Sequence, residues 1–139
     1  MSASNFTENS LLDHLLGQGS RSFTQPELHV ALFTGPASDV SAALESGDKS
    51  TSAGNWGRFE VNTGGYTRKE VTFNAASNGQ AVNSAQIEFP SATANYNNTA
   101  GSGSTVTYVA IMSGSNNDDG STTTQCLVYG ALTNTKEIL

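Results

Sequence analysis

The stretch Thr105-Val106-Thr107-Tyr108-Val109-Ala110-Ile111-Met112-Ser113 decides the fold, because nearly every position in it is apolar, β-branched or aromatic. A half-exposed strand alternates apolar and polar residues, whereas a strand covered on both faces is apolar almost throughout. This run therefore predicts a central strand. Two further runs, 28–34 and 125–133, have the same character. We expect all three at the centre of one β domain.

The composition fits such a domain and argues against several classes of function. The chain has 139 residues, 13% of them charged, compared with roughly 25% in typical globular proteins. The formal net charge is -6, which opposes nucleic-acid binding because Lys and Arg must neutralise the phosphates. The single cysteine, Cys126, cannot form an internal disulfide. No apolar run is long enough to cross a bilayer, and we expect neither a membrane contact nor an export signal.

The N-terminal segment predicts a short helix. Asn5 is the expected N-cap, and Glu8 follows three residues later as in a capping box. Four leucines form an apolar stripe at helical spacing: Leu11, Leu12, Leu15 and Leu16. So short a helix needs a surface to pack on, which is either its own β domain or a neighbouring subunit. We divide the chain into an N-terminal helix or arm, 1–20, and a β domain, 21–139.

Between residues 37 and 63 the chain loses its hydrophobic periodicity, which predicts a long surface loop. Trp56 and Phe59 are two aromatic residues in this polar setting. They either fold back onto the core or contact a partner, and tryptophan is favoured at the centres of interfaces.

The segment after this loop predicts two outer strands. Residues 66–73 and 84–89 alternate apolar and polar side chains, and Asn78-Gly79 between them is typical of a two-residue hairpin turn. Together with the three central runs, this pattern favours an all-β fold. We expect an antiparallel β-sandwich of about six to eight strands, for which a jelly roll is one arrangement, with a short N-terminal helix.

No catalytic, cofactor or metal site is predicted. A nucleophile elbow lies on a strand-to-helix turn, but Gly101-Ser102-Gly103-Ser104 falls in a loop between strands. Glu60, Glu70 and Glu88 are expected at outward strand positions, not as a catalytic carboxylate pair. The segment 116–120 lacks the ligand spacing and the final Glu of a calcium loop. We therefore do not expect an enzyme.

Seven short motifs follow one another along the chain. They are Leu-Leu-Asp-His-Leu-Leu-Gly at 11–17, Leu-His-Val-Ala-Leu-Phe-Thr at 28–34, Gly-Gly-Tyr-Thr-Arg at 64–68, Val-Thr-Phe at 71–73, Ile-Glu-Phe-Pro at 87–90, Val-Thr-Tyr-Val-Ala-Ile at 106–111 and Gly-Ala-Leu-Thr at 130–133. In this order they resemble a family of small virion proteins of tailed bacteriophages, including phages of marine and cyanobacterial hosts. Its members are tail fibre, tail or other virion structural proteins.

The resemblance implies a non-enzymatic structural protein of the virion, assembled in the host cytoplasm. The role that it favours is a tail-associated, fibre-associated or adaptor protein. One alternative is a decoration or cement protein on the capsid shell, bound to the major capsid protein. The other is a carbohydrate- or receptor-binding module that stacks its ligand on Trp56, Tyr66 and Tyr96. In each case, other virion proteins and further copies of this chain are the expected partners.

Seven residues are predicted to make the contacts with these partners. They are Leu12, Leu15 and Leu16 of the helix, Trp56 and Phe59 of the long loop, and Ile138 and Leu139 at the end of the chain. The loop from 42 to 59 is longer than the corresponding connection in the similar family, which suggests a contact surface specific to this particle. Members of that family also continue past the Gly-Ala-Leu-Thr strand, so a neighbouring subunit is one candidate to complete the sheet edge.

Overall fold

A computed structural model of the protein describes residues 1–16, 27–46, 56–98, 103–115 and 124–138. The elements in chain order are β1 (Ser2–Ala3), α1 (Asn5–Leu16), β2 (His29–Thr34), α2 (Ala37–Ser46), a short 3-10 helix (Trp56–Arg58), β3 (Lys69–Glu70), β4 (Thr105–Met112) and β5 (Cys126–Glu137). In these ranges, neither helix is long and apolar enough to cross a membrane.

The strands form one antiparallel sheet in the order β1-β5-β4-β2-β3. The long apolar strand β4 lies in the middle, between β5 and β2, so the predicted central strand is confirmed. Ala110 of β4 pairs with Ala31 on one side and with Tyr129 on the other, which places these three side chains on one face. Strand β5 has a large bulge opposite the start of β4, where its residues 132–135 lie across from the single residue Thr107.

Two hydrophobic clusters form the core. The first packs α2 and the 3-10 helix against one face of the sheet and comprises Ala31, Phe33, Val40, Ala43, Leu44, Trp56, Phe59, Ala110, Met112 and Cys126. The second comprises Val61, Tyr66, Tyr96 and Val106, with Leu32 packed against it. Successive residues of a strand point to opposite faces, so Ala31 and Leu32 place the two clusters on opposite faces of β2.

The predicted sandwich of six to eight strands is wrong, although the antiparallel sheet itself is confirmed. The described residues contain one sheet of five strands, and two of those strands are only two residues long. A helix covers one face where the prediction had a second sheet, because Val40, Ala43 and Leu44 of α2 pack on it. Aromatic side chains from the irregular segment 61–96 pack against part of the other face.

Helix α2 corrects the prediction of a continuous loop from 37 to 63. Its buried residues, Val40, Ala43 and Leu44, recur at the i, i+3, i+4 spacing of an amphipathic helix. The N–H of Val40 donates to the carbonyl of Pro36 at 3.1 Å. The helix thus begins directly after a proline, a residue that suits a helix N-terminus. Residues 47–55 of the predicted loop lie outside the described part of the chain.

The hairpin turn at Asn78-Gly79 is confirmed. Both residues have positive φ, 51° and 75°, as a type I′ turn requires. The flanking Ser77 and Gln80 exchange N–H to carbonyl bonds of 2.9 and 3.0 Å. Of the two predicted strands, 66–73 is confirmed only at Lys69–Glu70, and 84–89 is not a strand. Residues 72–86 form a ribbon that is exposed along its whole length.

The predicted N-terminal helix is confirmed, but Ser4 takes the N-cap position that was assigned to Asn5. The backbone N–H of Thr7 donates to Ser4 Oγ at 3.4 Å, and the N–H of Glu8 donates to the Ser4 carbonyl at 3.0 Å. Ser4 Oγ also donates to the carbonyl of Cys126, and the Ser4 N–H donates to that of Leu127. The helix is therefore fastened at its first turn to strand β5.

Candidate interaction surface

Helix α1 presents its leucines to solvent. Leu11 and Leu12 are 48% and 53% exposed, and Leu15 and Leu16 are each 68% exposed. The residue that the helix buries is a serine, Ser10. We call the four leucines the leucine stripe. Of the two alternatives for this helix, packing on its own domain does not account for the stripe, because the domain contacts the opposite side of the helix.

The leucine stripe is held in a fixed position on the molecule. Strand β1 pairs Ser2 with Tyr129 and Ala3 with Val128, and α1 packs on both α2 and β5. Met1 lies over Gly130, where an added Cβ would be only 3.2 Å from Met1 Cγ. The stripe is thus a ridge on a folded body, supported from behind by the sheet edge and by the second helix.

The exposed ribbon 72–86 carries two large apolar side chains, Phe73 and Val82. Phe73 pairs with Asn83, and the N–H of Asn74 donates to the carbonyl of Val82. In this register Phe73 and Val82 point to opposite faces of the ribbon. They do not form a continuous patch, so the ribbon offers less apolar contact surface than α1 does.

Trp56 and Phe59, two of the predicted contact residues, are part of the core. Trp56 is completely buried and meets the Phe33 ring edge to face, with ring centroids 6.3 Å apart. Phe59 is 8% exposed in the same cluster. Of the two alternatives for these aromatics, the structure thus shows folding back onto the core. We do not retain them as contact residues, because a buried ring has no surface to offer a partner.

Tyr66 and Tyr96, proposed with Trp56 as stacking platforms for a sugar, are also buried. They are 6% and 1% exposed, and their rings meet edge to face with centroids 5.8 Å apart. The Tyr96 hydroxyl donates to the carbonyl of Pro90 at 3.0 Å. A sugar-stacking site needs an exposed ring face. None of the three aromatic residues named for that role has one.

Glu60 is buried, which corrects its predicted outward position. Arg68 donates from Nε to Glu60 Oε1 and from Nη2 to Oε2, both at 2.6 Å, so the pair is bidentate. The two side chains are 2% or less exposed. Arg68 Nη1 also donates to the carbonyl of Gly114, and the guanidinium lies 5.3 Å from the centroid of the Trp56 ring. Sequence reasoning missed this pair, because Glu and Arg are usually exposed.

Tyr66 connects the ion pair to the sheet. Its hydroxyl donates to Glu60 Oε1 at 3.2 Å and accepts the N–H of Leu32 at 3.0 Å. This bond satisfies a backbone donor of β2 that lies beyond the pairs formed with β3 at His29 and Val30. Burial, together with the negative charge of Glu60, raises the pKa of the Tyr66 hydroxyl well above its usual value. The carboxylate is fully engaged by neighbours, so its role is structural.

The end of the chain is joined to the second core cluster. The N–H of Ile138 donates to the carbonyl of Ser104, and the carbonyl of Ile138 accepts the N–H of Tyr96, both at 3.1 Å. Ile138 is half-buried, and Leu139 lies outside the described residues. In the described ranges, no three His, Cys, Asp or Glu side chains are placed to hold a metal ion.

Buried or partly buried acids make stability depend on alkaline pH, and Cys126 and Tyr129 add to the effect of Tyr66. Burial raises the pKa of Cys126 from 9.0 to about 12, and it raises the pKa of Tyr129 from 10.0 to about 12 with help from the hydrogen bond to Glu45. The folded state holds these protons more tightly than the unfolded state, so stability is complete below about pH 9 and falls as pH rises towards 12.

We expect urea midpoints measured across this range to decline, and to decline less in the Cys126→Ala variant. A midpoint that stays constant from pH 8 to pH 11 would contradict the assignment. Val82→Ala, a change on the exposed ribbon, is the control that leaves the pH dependence unchanged.

Comparison with known proteins identifies a family. A family model described as Podophage GP4 fiber I protein gp80 matches residues 2–139, which is nearly the whole chain. No curated protein and no solved structure matches the chain.

Proposed function

We propose a role for this chain from its family, since it belongs to the family of the podophage GP4 fiber I protein gp80. A phage fibre protein is part of the virion, and this chain is therefore a virion protein of the fibre type. The match covers residues 2–139 and is the observation that carries the proposal.

Within the particle, we assign the chain to the tail, as a fibre component or an adaptor that works through protein contacts and carries out no reaction. The fibre family supports this position over a decoration protein on the head shell. The burial of Trp56, Tyr66 and Tyr96 removes the residues on which the sugar-binding alternative depended. The five-stranded sheet and the buried Glu60–Arg68 pair support a structural role.

The contact surface that we propose is the leucine stripe, which includes the predicted residues Leu12, Leu15 and Leu16. These are large apolar side chains at roughly half exposure or more that lie together on one side of α1, and apolar ridges of this kind mark interaction sites. We keep the chain end, Ile138 and Leu139, as a second candidate, because Ile138 packs against the second core cluster; Leu139 lies outside the described residues.

The position in the particle can be tested by labelling. The turn at Asn78-Gly79 is exposed, and a Cβ added at Gly79 would meet nothing within 4 Å, so we expect a short peptide epitope inserted there to leave the fold intact. Virions carrying the insertion are expected to bind antibody gold at the tail fibres. Virions with the unmodified chain are the control. Gold on the head shell, or virions that lack the chain, would contradict the proposal.

A further inference from the structure

The tip of the ribbon 72–86 places a side-chain amide next to an unshielded backbone nitrogen. Asn78 is followed by Gly79, and none of the other asparagines in the chain precedes a glycine. Both residues are exposed, and a Cβ added at Gly79 would meet nothing within 4 Å. Because glycine carries no side chain, Gly79 does not screen its own nitrogen from the neighbouring side-chain carbonyl. The tip therefore holds an electrophilic carbon, Asn78 Cγ, beside the most accessible kind of backbone nitrogen.

Hydrogen bonds within the described ranges leave both groups free. The two backbone bonds that close the turn are made by the residues on either side of it, and neither the Asn78 amide nor the Gly79 N–H has a partner. The amide of Asn83, in the same ribbon, instead donates to the carbonyl of Ala85 at 2.7 Å. At the tip, by contrast, no hydrogen bond of the amide has to break before the amide can react.

The closed turn must open before the two groups react. Both residues have positive φ, 51° at Asn78 and 75° at Gly79, and the backbone has to rotate out of this conformation before the Gly79 nitrogen faces Asn78 Cγ. The rotation disrupts little, because residues 72–86 are exposed along the whole ribbon and a two-stranded hairpin by itself is only marginally stable. Regions with few buried apolar contacts open locally at a low cost in free energy.

We propose that Asn78 is a site of spontaneous deamidation in the folded chain, with water as the co-reactant. The Gly79 nitrogen attacks Asn78 Cγ and forms the new C–N bond of a succinimide ring. The Cγ–Nδ2 bond breaks, and the amide leaves as ammonia with the hydrogen that the Gly79 nitrogen gives up. Water then opens the ring. Hydrolysis of the Cγ–N bond yields aspartate, and hydrolysis of the bond between the Asn78 carbonyl carbon and the Gly79 nitrogen yields isoaspartate.

Both products alter the turn. Each adds a negative charge to a chain whose formal net charge is already -6. Isoaspartate also inserts an extra carbon into the main chain of a two-residue turn, whose geometry requires positive φ at both positions. The paired backbone bonds of Ser77 and Gln80 no longer fit the lengthened turn. Conversion is therefore expected to loosen the tip of the ribbon while the sheet, which has its own ladders, stays folded.

Peptide mass spectrometry of the purified full chain tests this proposal. The chain is incubated at mildly alkaline pH, where a backbone nitrogen loses its proton more readily. It is then cleaved after glutamate, which releases residues 71–88 with Asn74, Asn78 and Asn83 in one peptide. Asn78 is expected to convert at least roughly tenfold faster than the other two, since both of those precede residues with side chains. Enzymatic methylation of isoaspartate in the same peptide detects the second product.

Asn78→Gly is the matched variant, because Gly-Gly also suits this type of turn and the reacting amide is gone. Its peptide is expected to give no isoaspartate signal at unchanged circular dichroism. The unmodified chain in guanidinium chloride supplies the rate for the unfolded state. Conversion of Asn78 in the unfolded chain alone would overturn the proposal, because the folded turn would then protect the amide. So would a folded chain in which Asn78 converts no faster than Asn74 and Asn83, or an isoaspartate signal that persists in Asn78→Gly.

Discussion

In the Arg68→Ala variant, the free energy of unfolding is expected to fall by about 3–5 kcal/mol, because the Glu60 carboxylate would stay buried without its partner. The loss is larger than for a surface pair, since both oxygens of Glu60 accept from the guanidinium. The variant also removes the donor to Gly114 and the cation over the Trp56 ring. Urea unfolding followed by circular dichroism measures the change.

Arg58→Ala is the matched control for this experiment. Arg58 is exposed and lies 5.9 Å from the centroid of the Phe59 ring, so its removal is expected to cost less than about 1 kcal/mol. The double variant Glu60→Gln/Arg68→Met removes both charges and is expected to be more stable than Arg68→Ala. Equal unfolding free energies for Arg58→Ala and Arg68→Ala would show that the buried pair contributes nothing.

Gly64→Ala is expected to destabilise the protein by more than about 3 kcal/mol, as a result of two effects that act together. Gly64 has φ +69°, which is unfavourable for alanine, and an added Cβ would be 2.3 Å from the carbonyl oxygen of Ala94 and 2.8 Å from the Tyr96 ring. The oxygen belongs to the backbone, so the clash is relieved only by moving the chain that holds Tyr96 in the second core cluster.

Gly79→Ala separates the two effects. Gly79 has almost the same dihedral, φ +75°, but an added Cβ there would meet nothing within 4 Å. Its expected cost is therefore that of the backbone conformation alone, about 1 kcal/mol. Thermal and urea unfolding of both variants give the comparison. If the two substitutions cost the same, the close approach of Ala94 to Gly64 has no energetic weight.

The parts of the fold that were predictable from sequence are those that a local pattern specifies. The continuous apolar run at 105–113 is typical of a strand covered on both faces, and Asn78-Gly79 supplies the positive φ angles that a two-residue turn needs. Leucine spacing identified α1. Helix α2 was missed because its buried face consists of only Val40, Ala43 and Leu44 among serines and acids.

The segments that pack on the two faces of the sheet were not predictable, because their positions depend on long-range packing that no local sequence pattern reveals. The alternation at 66–73 predicted a strand, but Tyr66 instead reaches across to the backbone of Leu32 with its hydroxyl. The burial of Glu60 is possible only because Arg68 lies beside it in the folded chain. For the candidate surface, periodicity showed that the leucines of α1 share one side, but the direction of that side depends on how Ser4 fastens the helix to β5.

Strand β1 also has a mechanical consequence. A pull on α1 reaches the body through Ser2 and Ala3, the two residues of β1, and through the bonds of Ser4 to β5. The body itself is held by the much longer ladders that β4 forms with β2 and β5. Under tension the short pairing of β1 with β5 at the sheet edge is therefore expected to yield before the ladders of β4 with β2 and β5.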